Sequence, residues 1–96
     1  MDKNAGYIEG KTPSGFAFKI SEEILDDWDM FEDLAKIDSG DIAAIFRVAH
    51  ELFDDDQMDR LKDHCRSETG KVSAKKVIEE IREVFTAAGE DKTKNS

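Results

Sequence analysis

Between Gly15 and Leu34 the chain changes period once. Phe16, Phe18 and Ile20 alternate with Ala17 and Lys19, the two-residue spacing of a strand. Ser21 follows, and after it Ile24, Leu25, Trp28, Phe31 and Leu34 recur at helical spacing. The opposite face of that helix is acidic, carrying Glu22, Glu23, Asp26, Asp27, Asp29, Glu32 and Asp33. A strand that runs into a one-signed amphipathic helix is a compact interaction unit. It holds no nucleophile, phosphate loop or metal cage, so this chain is expected to act by contact.

Charge narrows the class of partner. Residues 21–63 hold fifteen Asp or Glu against four Lys or Arg, whereas residues 64–96 hold six against seven. The net charge of −9 therefore sits on the first half of the helical region. Nucleic acid is not expected as a partner, because its phosphates would be repelled. A basic or polar protein partner fits, with faster encounter at low salt. Such a face also serves simply to keep a small protein soluble. Charged residues make up 39% of the chain, well above the roughly 25% of an average globular protein. The lone Cys65 cannot close an internal disulfide, and no early apolar run resembles a signal peptide. No stretch approaches the roughly 18 apolar residues of a membrane span, so a soluble cytosolic protein is expected.

The expected fold is mainly α: a small four-helix domain over residues 7–89 with a short N-terminal β-hairpin. Residues 1–6 are expected to be disordered, and 90–96 to form a disordered polar tail. Tyr7, Ile8 and Glu9 can pair with Phe16–Ile20 across the turn-forming run Lys11-Thr12-Pro13-Ser14-Gly15. Helix one should run from Glu22 to Ile37 with Ser21 as its N-cap. Asp38-Ser39-Gly40 breaks it. Helix two, Asp41 to Phe53, is apolar nearly all round, which makes it central in a bundle or gives it a second face for a partner. Asp54 and Gln57 can form a reciprocal capping pair at the start of helix three, whose apolar stripe is Met58, Leu61 and Cys65. Glu68-Thr69-Gly70 ends that helix. Helix four starts after Ser73, shows Val77, Ile78, Ile81, Val84, Phe85 and Ala88 on one face, and stops at Gly89.

Catalytic, cofactor and metal readings find little support. The run Asp54-Asp55-Asp56-Gln57-Met58-Asp59 fails as a calcium loop, which needs Gly at its sixth position and Glu at its twelfth; counted from Asp54 these are Asp59 and Cys65. His50, His64 and Cys65 match no zinc spacing. His64 and Cys65 are adjacent and point about 100° apart on a helix, which disfavours a catalytic pair. No carboxylate pair is marked by an apolar pocket. The chain is expected not to be an enzyme. What remains is surplus apolar surface. Trp28 and Met30 lie about 200° apart on a helix, so one of them must sit at the edge or outside.

The ordered combination of these segments resembles the small tail assembly chaperones of long, non-contractile-tailed bacteriophages and related prophages of Gram-positive bacteria. Thr12-Pro13-Ser14-Gly15-Phe16-Ala17-Phe18 is similar to their Thr-x-Ser-Gly-Phe-x-Phe run, and Ile24-Leu25-Asp26-Asp27-Trp28 follows as their Leu-Asp-Asp helix does. Leu61 to Ser73 resembles their helix–Gly–x–Val segment, and Glu80-Ile81-Arg82-Glu83-Val84-Phe85 their closing helix. The likeness covers roughly residues 11–96. This chain departs from the pattern at Trp28, where a smaller residue is usual, and at Asp54-Asp55-Asp56.

The resemblance implies an assembly factor of the host cytoplasm, without cofactor, metal, nucleic acid or membrane partner and absent from the finished virion. It would hold the tape measure protein soluble until major tail tube subunits polymerise around it. Relatives are commonly made in two lengths by a ribosomal slip, which implies a longer frameshifted form of the chain as a further partner. Lys94-Asn95-Ser96 looks like the end of the short product. On this reading Trp28, Met30, Phe31, Phe46 and Phe53 are the candidate apolar contacts. Asp26, Asp27, Asp29 and Asp33 would steer the partner and keep the complex soluble. The alternative is a small acidic helical adaptor or regulator that binds a host or prophage protein.

Overall fold

A computed structural model describes the backbone of residues 6–94 and the side chains of residues 6–89. Strands β1 (Tyr7–Lys11) and β2 (Ala17–Ser21) lead into a 3₁₀ turn, Glu22–Asp26. Helices α1 (Trp28–Asp38), α2 (Ile42–Leu52), α3 (Asp55–His64) and α4 (Ala74–Lys94) follow. The described chain is mainly helical with one short antiparallel hairpin, as its periodicities anticipate. Residues 1–5 of the expected N-terminal tail lie outside the described residues. Gly6 lies inside them, and its carbonyl accepts the Glu22 N–H.

The hairpin pairs Tyr7 with Ser21, Glu9 with Lys19 and Lys11 with Ala17. Gly15, at φ +98°, closes its turn by donating to the Thr12 carbonyl at 2.9 Å. Two strands alone are marginal in water. This pair buries Ile8, Phe16, Phe18 and Ile20, and α4 packs against β1. Gly10 makes room for the Phe18 ring, since a Cβ there would stand 2.9 Å from its Cζ. On β2, the Lys19 N–H donates to Gln57 Oε1 at 2.7 Å and the Lys19 carbonyl accepts from Gln57 Nε2 at 3.0 Å. Helix α3 is thereby tied to the hairpin. The first half of the expected capping arrangement forms, the Gln57 N–H donating to Asp54 Oδ1 at 2.8 Å. The reciprocal half is replaced by the bond pair to Lys19.

The single helix expected over Glu22–Ile37 is two elements. Ser21 caps the 3₁₀ turn, and Asp27 then adopts extended backbone at φ −99°, ψ 111°. Its Oδ1 accepts from the N–H groups of Asp29 and Met30 at 2.9 and 3.3 Å, capping a new helix. This break resets the helical phase. The buried face of α1 becomes Met30 and Ile37 with Leu34 half-buried beside them, while Trp28 and Phe31 turn outward.

Helix α2 is capped by Asp41, which accepts from the Ala43 N–H at 3.0 Å, and buries Ala44, Val48, Ala49 and Leu52. Helix α3 ends at His64, before the expected Glu68-Thr69-Gly70 stop. A tight loop follows, with Arg66 bridged to Val72 and Gly70 at φ +89°. Gly89 does not stop α4. An internal Gly costs only about 1 kcal/mol against Ala, and the Glu and Lys residues beyond it are good helix formers. Of the tail expected over 90–96, residues 90–94 continue α4 and residues 95–96 lie outside the described part. Ile20, Val48, Leu61, Cys65, Ile81 and Val84 are the largest side chains in the driest part of the core.

Candidate functional site

Helix α2 has more apolar surface than its core face needs. Ile42 and Phe46 are largely exposed, Phe46 at 61%. Together with Ile45 and Ala49 they form one wall of an open groove of about 310 Å³. Met58 and Lys62 of α3, Val72 of the loop before α4, and Ala74 and Val77 at the start of α4 line its other side. The sequence marks α2 as having an excess face, but the opposite wall comes from residues too distant along the chain to be placed by periodicity.

A second apolar surface lies on α1. Trp28, 74% exposed, and Phe31 stand one turn apart on its outer side. This ridge and the groove are not one surface. Asp33 of α1 and Arg47 of α2 join the two helices, Arg47 Nη2 standing 3.0 Å from Asp33 Oδ1. Trp28 and Phe31 lie about 140° and 160° around α1 from Asp33, so they face away from α2. Ile42 lies about 140° around α2 from Arg47, so the groove opens away from α1.

The expected contact residues separate accordingly. Trp28, Phe31 and Phe46 present surface. Met30 and Phe53 do not: they are 3% and 4% exposed and belong to the core. Met30 is turned inward by the phase break at Asp27. Phe53 is held by an edge-to-face contact with Phe16, ring centroids 5.8 Å apart. The carboxylates divide in the same way. Asp26 and Asp29 are exposed, whereas Asp27 is used in capping. Asp33 is used by Arg47, whose hydrogen bond holds its carboxyl below the ordinary range; the same contact raises Arg47.

A polar cluster at the hairpin turn has no local signature in the sequence. Thr12 Oγ1 and Ser14 Oγ each donate to the buried Glu80 carboxylate at 2.7 Å, one to each oxygen. Ser14 Oγ also lies 2.8 Å from His64 Nε2. Both hydroxyl protons are thus committed to Glu80, so His64 Nε2 is the donor to Ser14. In a nucleophilic triad the imidazole would instead accept the serine proton. The cluster is a clasp that pins the turn to α4, and Thr12 completes it by accepting the Phe16 N–H at 3.1 Å. Beneath it Cys65 is buried, and desolvation, aided by the nearby Glu80 carboxylate, pushes its thiol up.

Among the described residues no three His, Cys, Asp or Glu side chains come together as a metal site, and no helix is long and apolar enough to cross a membrane. No family model, curated protein or solved structure matches the chain.

Proposed function

We propose that this chain is a phage tail assembly chaperone. It binds an apolar, helix-forming stretch of the tape measure protein and holds it soluble until tail tube subunits close around it. It acts in the host cytoplasm, by contact and without chemistry, and leaves before the virion is complete. The observation that carries the reading is the groove beside α2. An apolar trough with Ile42 and Phe46 exposed is costly on a free monomer, and its shape suits the apolar stripe of a client helix. The net charge of −9 keeps the loaded protein dispersed. The motif likeness over residues 11–96 supplies the client's identity.

Co-expression with the tape measure protein encoded beside it tests this. The client's soluble fraction should rise, the two chains should co-purify, and Phe46→Asp should abolish both effects while the variant stays folded by circular dichroism. A tape measure protein that is equally soluble alone and never co-purifies overturns the proposal and favours the acidic adaptor reading.

A further inference from the structure

We propose that the outer ridge of α1 is a second docking surface, separate from the groove, and that its occupant is a basic amphipathic helix. The ridge joins two observations. Trp28 and Phe31 stand exposed one helical turn apart, and Trp28 is more exposed than any other large apolar side chain described. The chain around them has no Lys or Arg between Lys19 and Lys36 but seven acidic residues.

Three of those acids are engaged: Asp27 caps α1, Asp33 binds Arg47, and Glu22 has a partner of its own. Glu23, Asp26, Asp29 and Glu32 remain exposed, and their carboxylates form no ion pair among the described residues. Acids near a helix start are favourable up to a point, but four without counter-charges repel one another and await cations.

The chemistry of the occupant follows. Its apolar stripe covers Trp28 and Phe31, and flanking Lys or Arg side chains meet the carboxylates and the indole face. The same ridge of a second copy would bring acid against acid, and a nucleic acid would bring phosphates. The groove differs, since its wall includes a cation, Lys62. The proposal does not rest on the groove: it concerns a different face and is argued from charge.

Trp28 is the only tryptophan, so its emission reports this ridge directly. The full chain is titrated with a synthetic Leu/Lys amphipathic helical peptide, and separately with its Leu/Glu counterpart. The Leu/Lys peptide should shift the emission to the blue and saturate, with affinity falling about tenfold or more between low and high salt. The quadruple variant Glu23→Gln, Asp26→Asn, Asp29→Asn, Glu32→Gln should lose most of that affinity and its salt dependence. Phe46→Asp should leave both unchanged. No shift, an equal shift with Leu/Glu, or a response that Phe46→Asp removes overturns the proposal. Failure here leaves the co-expression result untouched, and the reverse also holds.

Discussion

The Gln57 side-chain amide pairs with both backbone polar groups of Lys19, as the next strand of a sheet would. It closes the edge of β2 that faces away from β1, using a helix residue in place of a third strand. An exposed edge is a site for unwanted pairing, so this contact protects the hairpin as well as anchoring α3. Gln57→Leu removes both bonds and leaves a partly buried N–H and C=O without partners. We expect a loss of about 2 kcal/mol, read as a lower urea midpoint with unchanged slope. A variant that unfolds at the wild-type midpoint would show the amide pair to be dispensable.

Glu80 couples elements 66 and 68 residues away through Ser14 and Thr12. Truncating the carboxylate strands two hydroxyls, so Glu80→Ala is expected to cost about 2–3 kcal/mol. Thr12→Val should cost less alone. In a double-mutant cycle with Glu80→Gln, the pair should show about 1 kcal/mol of coupling. Additive losses would mean that the two side chains do not share one network.

Much of this architecture is legible in the chain. The alternation of Phe16, Phe18 and Ile20 and the stripe of Met58, Leu61 and Cys65 are local periodicities; all of these residues are buried except Met58, which is half-buried at the groove. Phase and partnership are less legible. Asp27 reads as one more acid on an acidic face, yet its cap rotates everything after it and decides that Met30, not Trp28, enters the core. Thr12, Gln57 and Glu80 look like ordinary surface polar residues. Their partners lie 38 to 68 positions away, a separation that no periodicity spans. The groove was half visible for the same reason: α2 advertises its wall, but Val72 and Val77 reach it only through the tertiary fold.

Asp27 therefore offers a direct test of the phase break. Asp27→Ala removes the acceptor for two N–H groups and should destabilise the protein by about 1 kcal/mol. Asp27→Asn keeps a capping oxygen and should recover most of that. Because Trp28 is adjacent, its emission should also change in the Ala variant as the first turn of α1 frays. An Ala variant as stable as wild type would favour one continuous helix over residues 22–38.

The Asp33–Arg47 contact predicts how acid loosens the α1–α2 pair. The guanidinium favours the ionised carboxylate, so Asp33 titrates lower in the folded chain than in the unfolded one. Its contribution is accordingly complete above the ordinary Asp value of about 3.9 and disappears as pH falls through the lower folded-state value. Asp33→Asn should thus unfold at lower urea than wild type at pH 7 and pH 5, with the gap narrowing below about pH 4. Both partners are solvated, so the gap should be small and should shrink in high salt. Urea titrations of the two proteins across that pH range decide the matter: a gap that persists unchanged into acid would mean that Asp33 acts through packing, not through its charge.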